Sequence, residues 1–262
     1  MVNRLSFLSP MANAFRIALV SNSAFESFGT ALTSLVITPL LQALLLVSFL
    51  TAAGVSGGVE LREAAYGSIL IAFGLAIMNG AVVEGAYDRQ IGVVQEVVGH
   101  TLWNPAYWTG KILVPMLLGI PPAILSALAV YAVIGAGDVG LLWRVLWLIP
   151  ISALVGALIG IAATIASFGL ADPYLISNIA NTGLLITAGV VLPLSLYPGW
   201  LAALAQLLPF TAAIEAMRTA GPMWPLVLRE LLVAFGWFGV GVLLSRRVLA
   251  AIRSGKRTDE VL

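Results

Sequence analysis

The chain predicts an all-α integral membrane protein, on three observations. First, stretches free of Asp, Glu, Lys and Arg recur at 27–59, 64–83, 112–137, 145–171 and 173–214. Each reaches the roughly 20 residues a helix needs to cross a hydrocarbon core. Second, 60% of the 262 residues are hydrophobic and 10% charged, against about 25% charged in soluble domains. A soluble helix needs a polar outer face, and these runs leave none. Third, 26 glycines and 13 prolines suit membrane helices, which tolerate both better than soluble helices do.

Composition also excludes. A formal net charge of +1 offers no electrostatic case for nucleic acid. The absence of cysteine removes disulfides, thiolate metal sites and cysteine nucleophiles, and leaves the redox compartment open. One histidine, His100, argues against a His-based metal site.

Residues 1–28 hold Asn3, Arg4, Asn13, Arg16, Asn22 and Glu26, so no cleaved signal peptide is expected there. Ser9-Pro10 reads as a capped helix start, which predicts an interfacial lead-in helix over 10–28. Six spans follow: Thr30–Ala53, Ala65–Glu84, Ile112–Ile134, Arg144–Phe168, Pro173–Leu192 and Trp224–Arg246. The 42-residue run 173–214 is too long for one span and short for two. Pro193, Pro198, Gly199 and Pro209 interrupt its second half, and proline breaks helices. A short re-entrant or interfacial helical pair is expected there, buried in protein, with Tyr197 and Trp200 at headgroup level. Arg229 and Glu230 in the sixth span are expected near its end, as an interfacial pair.

The expected organisation is one transmembrane domain over 1–262. Its parts are a cytoplasmic lead-in at 1–29, five spans within 30–192, an outer re-entrant segment at 193–223, a sixth span at 224–246 and a tail at 247–262. With six spans both termini share a side. That side holds Arg4, Arg16, Arg89, Lys111, Arg246, Arg247, Arg253, Lys256 and Arg257; the other holds Arg62, Arg144, Arg218 and Arg229. The bias places both termini in the cytoplasm of a multi-pass protein of the cell membrane.

The longest charged break between spans is Tyr87–Lys111. Ile91, Val94 and Val98 fall on one helical stripe, with Asp88, Gln95 and Glu96 off it. Asn104-Pro105 ends the helix. Two readings stand: a connector on the membrane surface, or a docking element that a cytoplasmic partner pushes. In the outer segment, Glu215 and Arg218 are spaced i, i+3 and form a candidate pair; the segment reads as a hydrophobic cap or an extracellular gate. The five cationic residues of Arg246–Arg257 read as an anchor to anionic lipid. Gly156 and Gly160 make a GxxxG that permits close helix packing.

Catalytic patterns are missing. Gly110-Lys111 is followed by Ile112 with Pro105 at the first position, and Gly255-Lys256 by Arg257 with Ala250; neither is a phosphate-binding loop. No HExxH or Ser-His arrangement occurs, and no inward-facing carboxylate pair is expected. Ionisable residues deep within the spans are scarce, which lowers the case for an ion channel or ion-coupled carrier.

Two patterns carry a resemblance. One is Tyr87-Asp88-Arg89-Gln90-Ile91-Gly92-Val93-Val94-Gln95-Glu96, closed by Thr109-Gly110-Lys111. The other, more specific, runs Leu192-Pro193-Leu194-Ser195, Pro198-Gly199-Trp200-Leu201, Leu208-Pro209-Phe210-Thr211, Glu215-Ala216-Met217-Arg218. With the six spans, they make the chain resemble the permease subunit of ABC-2 type ABC transporters over nearly its whole length.

The resemblance implies an exporter permease with no catalytic residue or cofactor of its own. ATP and Mg would be bound by a separate cytoplasmic ATPase subunit. A second permease, identical or paralogous, would complete the pathway among membrane lipids. It implies an ATPase-coupling interface of Asp88, Arg89, Gln90, Ile91, Gly92, Val94, Gln95, Glu96 and Val98. It further implies an outer gate segment with Pro193, Pro198, Trp200, Pro209, Glu215 and Arg218. Spans with little charge fit an amphiphilic cargo, such as a drug, lipid-linked glycan or peptide natural product. Two other classes stand beside this one: a membrane-embedded enzyme acting on lipids through Glu84, Asp88 and His100, and a non-transporting scaffold or immunity subunit.

Overall fold

The computed structural model describes residues 4–20, 27–33, 58–100, 104–134, 137–190 and 193–253, with isolated positions between 37 and 54. The described residues are helical, without strands. In chain order the helices are α1 (Arg4–Val20), α2 (Phe28–Leu32), α3 (Val59–Gln90), α4 (Val93–His100), α5 (Pro105–Ile134), α6 (Val139–Ser167) and α7 (Leu175–Thr187). A 3₁₀ turn (Leu194–Leu196), α8 (Gly199–Ala205), α9 (Thr211–Arg218) and α10 (Trp224–Arg253) complete the set.

Among the described residues, four helices are long and apolar enough to cross a membrane: α3, α5, α6 and α10 over Trp224–Leu244. They correspond to the second, third, fourth and sixth expected spans, and all four helices are longer than expected. Half of the first expected span, Thr30–Ala53, lies outside the described residues; its start coincides with α2, which Ser27 and Thr30 close with reciprocal capping bonds. The fifth is corrected. α7 has 13 residues, about 20 Å of helix, less than the roughly 30 Å hydrocarbon core. Its polar N-terminal approach, Asp172 to Tyr174, forms turns instead.

The lead-in helix is also corrected. It begins at Arg4 rather than Pro10, and Pro10 sits inside it. An interior proline removes one backbone bond. Packing outweighs that loss, because α1 lies along α5 and buries Ala14 and Ala18.

α3 and α6 form the core. Along their spanning windows both are mostly buried, whereas only 22% of the window is buried on α5 and on α10. Glycine allows the close approach. A Cβ on Gly156 would stand 2.2 Å from the Gly74 carbonyl oxygen, and one on Gly160 2.8 Å from the Ala81 Cβ. The GxxxG of α6 thus seats on α3, and dispersion between close backbones takes the place of a hydrophobic drive that lipid does not supply. α5, α9 and α10 pack around this pair, and α4 lies against α3 and α10.

Candidate functional site

The long helices carry their charged residues to two opposite ends of the bundle. One end gathers the last turns of α3, the first turns of α5, and α4. Glu84 and Asp88 are four residues apart on α3, as are Tyr107 and Lys111 on α5, so each pair shares a helix face. The two faces meet. The Lys111 Nζ stands 2.6 Å from Asp88 Oδ1 and 3.1 Å from Glu84 Oε2, and the Tyr107 hydroxyl donates to Asp88 Oδ2. Asp88 and Lys111 are buried. Two carboxylates around one ammonium form a cluster in which each charge has a partner, the condition for burying ions at all. A small cleft beside it is lined by Glu84, Trp108 and Lys111, with Ala81, Ile112 and Ile161 as apolar walls.

The neighbouring Arg89 reaches the other way. Its guanidinium donates to the carbonyls of Ser167 (3.3 Å) and Leu170 (2.8 Å), bracing the turn where α6 ends. Gly92 then takes a positive φ of 81°, which glycine adopts without steric cost, and α4 starts. The candidate coupling residues therefore divide. Asp88 and Arg89 belong to the last turn of α3, turned into the bundle, and Gln90 is exposed at its end. Ile91 lies in the turn and is exposed, outside the helical stripe assigned to it, while Val94 on α4 is buried. Glu96 on α4 is exposed. The side chains of Gln95, Val98 and His100 lie outside the described set.

The opposite end is built around backbone. Phe210 has a φ of 72°, unusual for a bulky residue, and serves as the N-cap position of α9 without a side-chain cap. Glu230 of α10 supplies the cap. Its fully buried carboxylate accepts from the amides of Phe210 (2.5 Å) and Ala213 (3.0 Å). Two such donors at a helix N-terminus suit one negative charge. The Phe210 ring fills the space a side chain at Gly74 would occupy.

Two expected pairings at this end are corrected. Arg229 and Glu230 do not pair, since adjacent helical residues point about 100° apart; Arg229 pairs with Glu215 at 3.0 Å. Glu215 does not pair with Arg218. Instead Arg218 lies 3.2 Å from Glu63 on α3 and donates to the carbonyls of Gly189 (2.6 Å) and Val190 (2.7 Å). Burial pushes the Arg218 guanidinium below its ordinary range, against the opposing pull of Glu63. α9 is thus tied to α3, to the end of α7 and to α10. The other outer residues are placed variously. Pro193 and Pro198 stand at the N-cap positions of the 3₁₀ turn and α8, Pro209 is buried just before Phe210, and Trp200 is 72% exposed.

Sequence reasoning missed Glu230 as a cap, Phe210 as a core residue and Lys111 as a hub. The i, i+4 spacing of Glu84 with Asp88, and of Tyr107 with Lys111, was the available signal for the hub. No signal fixed which helices would face each other. Among the described residues no group of His, Asp and Glu is arranged to hold a metal ion. In comparisons with known proteins, the family model for the ABC-2 type transporter matches residues 5–220. No curated protein and no solved structure matches the chain.

Proposed function

The chain belongs to the ABC-2 type transporter family, and from that premise we propose that it is the permease subunit of an ATP-driven exporter for an amphiphilic substrate. Two permeases, identical or paralogous, line the pathway, and a separate ATPase subunit binds beneath each. The family match across 5–220 carries this reading. It is supported by α4, a short helix set off from the end of a buried core span by a glycine turn, with Glu96 exposed.

In this reading the clustered end is cytoplasmic. The ATPase docks on α4 through Glu96 and the exposed Ile91 and Gln90. Nucleotide and Mg stay on the partner, because this chain has no phosphate-binding loop. The opposite end, with the 3₁₀ turn, α8 and α9, closes the external side. The long apolar faces of α5 and α10 meet lipid and the second permease.

The test is purification of the tagged chain from its native membrane. An ABC ATPase is expected to co-purify, with vanadate-sensitive ATP hydrolysis. Glu96→Arg on the exposed face of α4 is expected to weaken that association several-fold. Recovery of the chain without any ATPase subunit would overturn the proposal.

A further inference from the structure

Asp88 was a candidate for direct contact with the ATPase, yet it is buried on Lys111. Its position gives it a different task. It lies two positions before the last residue of α3, Gln90, and the short turn at Gly92 leads directly into α4. α4 packs against α3, so a shift of α4 loads the last turn of α3. That turn is fastened twice, by Asp88 to α5 and by Arg89 to the end of α6. On its far side α5 is met by α1: a Cβ on Gly110, next to Lys111, would stand 2.4 Å from the Met11 carbonyl oxygen. α1 and α3 therefore meet on the two turns of α5 that carry Tyr107 and Lys111.

We propose that the Glu84–Asp88–Tyr107–Lys111 cluster is the joint that passes displacement of α4 into the spans, with Lys111 as its positioning residue. This deepens the reading of α4 as the ATPase contact and rests on it. Ionic hydrogen bonds suit the task. They are short, directional and strong inside a low dielectric, whereas apolar contacts between the same helices allow sliding. A packed element with fixed partners moves as a unit rather than deforming.

The chain's lack of cysteine gives a readout that needs no known substrate. A single cysteine at exposed Gly221, before α10 at the opposite end, is reacted with a membrane-impermeant maleimide in the complex with its own ATPase subunit. With the cluster intact, ATP is expected to change the labelling rate at least threefold. In Asp88→Asn/Lys111→Met, which removes both charges of the buried pair together, ATP hydrolysis is expected to persist while the labelling response falls below about 1.5-fold. Lys111→Arg keeps the cation and is expected to keep the response.

A full response in the doubly neutral variant overturns the proposal. So does loss of assembly in the double variant together with a full response in Glu84→Gln, which would mark the cluster as structural only. Absence of any ATP response with the cluster intact, or of any ATPase in the complex, would overturn the underlying reading of α4 instead.

Discussion

The two ends of the bundle bury charge in opposite ways. At the α4 end, side chains chiefly satisfy side chains: Lys111 lies between Glu84 and Asp88, and Tyr107 completes the set, while Arg89 alone of this group turns to backbone carbonyls. At the α9 end, side chains chiefly satisfy backbone: Glu230 holds the amides of α9, and Arg218 holds the carbonyls that follow α7. The difference follows from the local chain. Long regular helices meet at the first end, so most of their backbone is already paired, and the charges of Glu84, Asp88 and Lys111 are free to link one helix to another. The second end contains short helices and turns whose backbone groups have no helical partner. Away from water each such group needs one.

The largest expected effect tests the backbone side of this contrast. Glu230→Leu leaves the amides of Phe210 and Ala213 without their acceptor, each worth about 1–3 kcal/mol when buried. Relief from burying the carboxylate offsets part of this. The net loss is expected on the order of 4 kcal/mol in detergent unfolding, with new protease cleavage between 193 and 223. An unchanged cleavage pattern would break the contrast. Next comes Lys111→Met, which strands two carboxylates one turn apart; breaking a buried pair costs about 3 kcal/mol or more. The Asp88→Asn/Lys111→Met variant is expected to recover much of that loss, and no recovery would show that the ions do not act as a pair.

A smaller effect tests the scaffold that holds both ends. Gly156→Ala places a Cβ against the Gly74 carbonyl and is expected to cost about 2 kcal/mol through overpacking, lowering the unfolding midpoint without altering either cluster. The smallest effect sharpens the comparison. Arg229 and Glu215 pair with side chains about one-third exposed, so Arg229→Gln is expected to cost under about 1 kcal/mol. A loss as large as that of Glu230→Leu would mean that adjacent residues on α10 share one role.

Legibility in the sequence followed the range of the interaction. The core helices α3 and α6 were visible as charge-free runs, because the need to satisfy backbone in an apolar medium acts on every consecutive residue. The proline-broken outer segment was visible for the same local reason, as was a helix after Asp88. Partners were not. Glu215 with Arg218, and Arg229 with Glu230, were near in sequence and therefore natural pairs, yet each found a partner on another helix. The contact between Gly74 and Phe210 joins residues 136 positions apart, and no spacing rule reaches that far.

The sequence by itself determined a membrane-embedded helical chain, the breaks at its prolines and glycines, and the absence of a nucleotide-binding loop. These depend on composition, local propensity and consecutive residues. Tertiary structure alone decided that Asp88 turns inward to Lys111, that Glu230 caps α9, and that α7 stops at 13 residues. A buried charge takes whichever partner packing brings within about 3 Å, and packing depends on how α3 and α6 close on their glycines rather than on any neighbour in the chain.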